Sequence, residues 1–181
     1  MGKQFASIGD KHRAFIEKQR MFFVATAAQD GRVNLSPKGL DSLRVLDEQT
    51  VVWLNGTGSG NETAAHLLDN PRMTIMFCAY EGNPLILRLY GEAAAYHPRD
   101  EAWDEYIGLF PKLKSARQIY KLHVDLVQTS CGFGVPLYSF EGDREQMHTW
   151  AESKGEDGIH AYWEEKNTHS LDGQPTHIFS D

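Results

Sequence analysis

Residues 56–68 read GTGSGNETAAHLL, directly after the β-branched run TVVWLN. Strand, glycine loop and helix in that order make a geometry that holds anions. A helix start leaves N–H groups without intrahelical partners, and glycines let a ligand come close to the backbone. Ser59, Asn61 and Thr63 add side-chain donors. The loop itself carries no Arg or Lys, so a phosphate here would rest on neutral donors, and Glu62 would have to turn away from it. The loop is neither G-x-G-x-x-G, because Asn61 stands at the third glycine, nor a Walker A, because no Gly-Lys-Ser/Thr follows. The same residues also fit a plain helix start, with Ser59 and Glu62 forming a capping box. On the loop alone both readings stay open.

Two further stretches carry candidate chemistry. In NLSPKG, Lys38 ends a strand behind Asn34, Ser36 and Pro37, a compact polar end that can meet the edge of a ligand. In QTSCGFGVP, polar residues precede two glycines and can set donors and backbone amides against a planar ring, or simply end a strand in a tight turn. Cys131 has no activating base beside it in sequence, which argues against a nucleophilic role. The eight histidines are dispersed without zinc spacing, so no metal site is expected. No G-x-S-x-G elbow is present.

The elements that must position these residues follow from periodicity. A short helix is expected over 10–20, with Asp10 as N-cap. MFFVATAA and VNLSPKG form a hairpin about Asp30-Gly31, with Pro37 confining the second strand to an edge. LRVLD and TVVWLN form a second strand pair. The glycine loop and a helix at about 61–69 come next, stopped by Asn70-Pro71. RMTIMFCAY and LILRLYGEAAAY are strands, 98–110 a helix with Pro98 near its first turn, and ARQIYKLHVDLVQTS ends in a strand. VPLYSF reads as another short strand, 143–167 as helical, and the last dozen residues as an irregular tail. Hairpins interrupted by helices indicate a mainly β, α+β antiparallel barrel rather than a doubly wound sheet. The net charge of −7 argues against nucleic acid as a partner. No secretory signal or membrane-length apolar run is visible, and two isolated cysteines suit a reduced, cytoplasmic protein.

Taken together, VNLSPKG, VVWLNGTGSGNETAAHLLDNPRMTIMF and VQTSCGFGVPLYSF resemble the pyridoxamine 5′-phosphate oxidase-like, FMN-binding split-barrel family, over about residues 10–140. The resemblance implies a six-stranded antiparallel split β-barrel with flanking helices (1–142) and a C-terminal helical extension of the same domain (143–181). It implies a homodimer with FMN at the interface. On matching positions, Asn34, Leu35, Ser36, Pro37 and Lys38 lie along the flavin. Trp53 and Leu54 contact it from the next strand. Ser59, Gly60, Asn61 and Thr63 hold the phosphate, and Ser130, Cys131 and Gly132 approach from the partner subunit. The chain departs from true pyridoxamine phosphate oxidases at two places. The Arg-Lys pair of the phosphate loop is Gly60-Asn61 here, and the substrate-gripping Arg-x-His is Pro136-Leu137-Tyr138. These departures point away from vitamin B6 oxidation. They leave an FMN-dependent oxidoreductase acting on an unidentified small-molecule substrate or electron donor, with no assigned catalytic residue. A non-catalytic flavin sensor or carrier and a haem-handling split barrel are the alternatives.

Overall fold

The structure, a computed structural model, describes residues 2–179. Eight strands and four helices run in the order β1 (Lys3–Phe5), α1 (Asp10–Ile16), β2 (Phe22–Thr26), β3 (Asn34–Lys38), β4 (Leu43–Val45), β5 (Thr50–Gly56), α2 (Glu62–Asp69), β6 (Arg72–Cys78), β7 (Ile86–Tyr96), α3 (Glu101–Ile107), β8 (Ala116–Ser130) and α4 (Gln146–Lys166). The strands form one sheet in the order β3-β2-β6-β7-β8-β5-β4, with β1 added against β8. Every pairing is antiparallel. The resemblance implied six strands and the sheet has eight; β4 falls within the expected LRVLD strand, whereas the three-residue β1 is too short to signal itself in sequence.

The sheet curls on itself. Phe22 of β2 and Trp53 of β5 lie four strands apart in the sheet order, yet their ring centroids are 6.2 Å apart. Between β3 and β4 no ladder forms, and this gap is the split of the barrel. Pro37 pairs with Phe23 on β3, an edge strand that tolerates a residue without an N–H. Gly91 marks a register shift between β7 and β8, where an added Cβ would collide with the carbonyl of His123. A bulge of this kind bends long strands, here of 11 and 15 residues.

Alternation along β5 explains its unbroken apolar run. Val51 and Trp53 enter the barrel core with Phe22, Ile75, Leu89 and Tyr120. Val52 and Leu54 face outward against Tyr106 and Phe110, so α3 and the turn after it cover that side of the sheet. A strand buried on both faces loses its polar phase.

Several expected boundaries shift. The first helix ends at Ile16, and Gly9, not Asp10, precedes it. Pro98 lies before α3, whose N-cap is Asp100. VPLYSF is not a strand. The N–H of Tyr138 donates to the carbonyl of Tyr80 and that of Phe140 to Glu81, so the segment crosses the β6–β7 turn instead of joining the sheet. The helical stretch after 143 begins at Gln146 and breaks at Gly155, whose φ of 64° is open to glycine and strained for other residues. The tail closes on itself through a bridge between His169 and Pro175 and reaches the body of the fold through Leu171, which donates to Glu62, and the carbonyls of His177 and Ile178, which accept from Arg99. Among the described residues no helix is long and apolar enough to cross a membrane.

Candidate functional site

A cleft of about 1570 Å³ opens beside the split of the barrel. Its wall includes Lys38, Thr57, Tyr80, Tyr138, Phe140 and Trp150, contributed by β3, the glycine loop, the turn after β6, the segment after β8 and the start of α4. Lys38 stands on the inner face of β3 with Asn34 and Ser36, while Leu35 and Pro37 face outward. Its Nζ lies 5.2 Å from the centroid of the Trp53 ring. Trp53 in turn stacks on Tyr120 at 4.6 Å. Burial, reinforced by the charge of Arg117, pulls the lysine down to about 8.

From Lys38 a directional chain of hydrogen bonds runs inward. Lys38 donates to Oδ1 of Asn55 at 3.5 Å, and Asn55 Nδ2 to Oε1 of Gln118 at 3.1 Å. Gln118 Nε2 donates to Oδ1 of Asn61 at 3.0 Å, and Asn61 Nδ2 to the carbonyl of Asn167 at 3.0 Å. Each amide both accepts and donates, and such alignment strengthens successive bonds in a buried setting. Asn61, expected to offer its side chain to a phosphate, spends it in this chain and is buried.

Arg117 is the residue that sequence reasoning missed. It lies on β8 with its side chain buried under the glycine loop. Its guanidinium donates to Gln118 Oε1 (2.8 Å), Asn167 Oδ1 (2.6 Å), and the carbonyls of Gly60 (3.0 Å) and Gly58 (3.4 Å). All four acceptors are neutral, and among the described residues neither Arg117 nor Lys38 forms an ion pair. Burial alone lowers Arg117 to about 10, so it remains charged at neutral pH.

The direction of those carbonyls decides what the loop presents. A trans peptide sets C=O and the following N–H on opposite sides of its plane. With the carbonyls of Gly58 and Gly60 turned in toward Arg117, the N–H groups of Ser59 and Asn61 turn away from it. Neither N–H has a protein acceptor among the described residues, and Ser59 and Gly60 are exposed. Free amides at the start of a helix are donors suited to an anion. The capping-box expectation fails here. Asn61, not Ser59, precedes α2. Glu62 accepts the N–H of Leu171 in the tail, at 3.0 and 3.1 Å, and its Oε1 lies beside Gly60, 3.3 Å from where a Cβ on that glycine would sit.

The remaining candidates are distributed. Asn34 donates to the hydroxyls of Thr63 (3.2 Å) and Thr26 (3.4 Å), which ties β3 to α2. Trp53 is sealed beneath Lys38, and Leu54 faces α3 on the outer side of the sheet. Ser130 accepts from Arg88 at 3.0 Å, Cys131 is exposed, and Gly132 turns at φ 67°. These three lie at the opposite end of β8 from Arg117, roughly 40 Å along the strand.

A family model described as pyridoxamine 5′-phosphate oxidase matches residues 8–131. The chain belongs to this family. The pyridoxamine 5′-phosphate oxidase family protein ustO of Aspergillus flavus is 35% identical over 94% of this chain and 76% of its own length. Solved structures share the fold at lower identity. HupZ of Group A Streptococcus matches at 24% identity and a TM-score of 0.51, covering 66% of this chain and 91% of that one. A candidate pyridoxamine 5′-phosphate oxidase from Lactobacillus delbrueckii matches at 18% and 0.53, covering 68% and 94%. The family match spans α1 to β8 and stops before α4, so the cleft wall from Tyr138 onward and the tail over the glycine loop lie beyond it.

Proposed function

We propose that this chain is an FMN-binding oxidoreductase of the pyridoxamine 5′-phosphate oxidase family, acting on a substrate other than vitamin B6. One observation carries the reading. Two cations, the half-buried Lys38 at the cleft floor and the buried Arg117 behind the glycine loop, have only neutral protein partners among the described residues. Burying a charge without a counter-ion costs several kcal/mol. An anionic ligand reaching this corner recovers part of that cost. A phosphorylated ring compound matches both features, with its phosphate on the amides of Ser59 and Asn61 and its ring over Lys38. FMN, when bound, supplies the hydride chemistry. The chain binds and orients it, and Lys38, protonated at neutral pH, supplies fixed positive charge where negative charge is to be stabilised.

A second copy of the chain belongs to this reading. Ser130, Cys131 and Gly132 sit far from the glycine loop along β8, and in this reading they serve the flavin of a second copy across a homodimer interface. Phe133, Leu137 and Tyr138 beside them are exposed, as an unpaired interface would leave them. The free thiols of Cys78 and Cys131 suit a reducing cytoplasm. A haem site asks for a histidine in the cleft, and the described wall contains none.

The test is an absorbance spectrum of the purified protein, with the released cofactor identified by mass. Release of FMN is the expected result. Lys38→Ala then weakens FMN binding about tenfold, the scale of a hydrogen bond to a charged group, whereas Ser59→Ala, which keeps the backbone amide, costs less. A colourless protein that takes up no added FMN overturns the proposal. Turnover of reduced nicotinamide with a panel of acceptors separates an enzyme from a carrier.

A further inference from the structure

After α4 the chain folds back across the glycine loop, and Asn167 is the knot of that return. It is fully buried, and every polar atom of the residue is used. Its Oδ1 accepts from Arg117 at 2.6 Å, and its Nδ2 donates to the carbonyl of Gly58 at 3.0 Å. Its own carbonyl accepts from Asn61 at 3.0 Å and from Thr176 at 2.6 Å, and its N–H donates to Trp163 at 2.9 Å. Trp163 holds the start of the same loop, donating from Nε1 to Thr57 at 2.7 Å.

We infer that Asn167, acting with Arg117, is a positioning residue for the phosphate loop, and that the C-terminal extension thereby sets the preference for phosphorylated over unphosphorylated flavin. The inference rests on the flavin reading above and deepens it. Asn167 and Arg117 share the Gly58 carbonyl between them and hold it inward, and Arg117 holds that of Gly60. That orientation keeps the amides of Ser59 and Asn61 outward. The residue type matters as much as the contact. An aspartate at 167 would satisfy Arg117 with an anion of its own, cancelling the positive charge behind the loop, and would lose the donor to Gly58. A carboxamide does both jobs while leaving the charge for a ligand. Asn61, where the family's true oxidases place a lysine, is free to serve this network because the cation comes from β8 instead.

The experiment measures dissociation constants of FMN and riboflavin by flavin fluorescence quenching, for the wild type, Asn167→Asp and Asn167→Ala. Riboflavin lacks only the phosphate, so the ratio of the two constants isolates the loop from the ring site. The expected result is that both variants weaken FMN about tenfold or more, the scale of one lost charge-assisted hydrogen bond, and change riboflavin by less than about twofold. Asn167→Asp guards against misfolding as the cause, because it keeps the contact to Arg117. Equal weakening of both flavins, or no change in either, overturns the inference while leaving the flavin reading intact. A wild type that binds neither flavin overturns the functional reading and this inference with it.

Discussion

Two adjoining parts of β8, its polar start at Arg117 and Gln118 and the core-facing residues over 119–127, are buried to the same degree and built on opposite principles. Ile119, Tyr120, Leu122 and Val127 are closed off from water, and so are Arg117 and Gln118. Along the first set the neighbours are apolar side chains from β2, β5, β6 and β7 and from α3. Excluding water from such surface is itself the stabilisation. At the second, water is replaced by specific acceptors from Asn167, Gly58 and Gly60. The apolar part tolerates approximate fit, because dispersion contacts are numerous and individually weak. The polar part does not, because one missing partner strands a buried donor or acceptor. At the polar start the buried Arg117 has only neutral partners among the described residues.

The sharpest way to break this comparison is in the apolar half. Trp53 is fully buried, stacked on Tyr120 and edge-on to Phe22. Trp53→Ala is expected to cost about 4 kcal/mol of folding stability, the usual range for removing a core aromatic. Urea titration followed by far-ultraviolet circular dichroism checks this. A loss below about 1 kcal/mol would mean that the core collapses around the gap and that the barrel is less tightly closed than the ring contacts indicate.

Next comes a pH effect that belongs to the charged half. Lys38 titrates near 8 in the folded chain, against an ordinary value of 10.5. Below about pH 8 both states carry the proton, and the folded state bears the full burial penalty. Between about 8 and 10.5 the unfolded chain keeps its proton and the folded chain releases it, so stability rises with pH. The gain is up to about 3 kcal/mol across that window. Arg117 also titrates low, and the buried Tyr120 hydroxyl high, so the comparison is made against Lys38→Met under identical conditions. The expected result is that the wild type gains on the variant as pH climbs from 8 to 10. Parallel curves would place Lys38 in water rather than over Trp53.

The apolar part was largely legible in the sequence and the polar part was not, for a physical reason. Strands such as Phe22–Thr26 and Arg72–Cys78 pair with neighbours joined by short turns, so their alternation and flanking glycines or prolines announce them. The exception is VPLYSF, whose composition is that of a strand but whose amides are taken by Tyr80 and Glu81. Lys38 stood out as a charge closing a strand. Arg117 did not, because its partners come from positions 50, 57 and 59 residues away. The one available signal was an Arg-Gln pair inside the strand-forming run ARQIY, where an exposed face would carry alternate polar residues, not adjacent ones. Asn167 carried no signal at all. Ser59 and Glu62 matched a local cap in spacing, but a tail 109 residues on from Glu62 captured its carboxylate.

That captured carboxylate offers the smallest and most discriminating test. Glu62 adjoins the glycine loop in sequence, yet both its oxygens face the N–H of Leu171. If the loop holds a phosphate, a nearby negative charge weakens binding in proportion to its proximity, and solvent screens it beyond roughly 10 Å at 0.1 M salt. Glu62→Gln keeps the shape and an acceptor oxygen and removes the charge. The expected cost to stability is about 0.5 kcal/mol, because one oxygen still takes the Leu171 amide and the site is exposed. FMN affinity is expected to rise by no more than about threefold, because the charge lies beside Gly60 but is held there by the Leu171 amide. Fluorescence titration at two salt concentrations measures this directly. A tenfold gain in affinity would mean that the carboxylate faces the bound phosphate, and the tail would then be a lid that swings away rather than a fixed part of the loop.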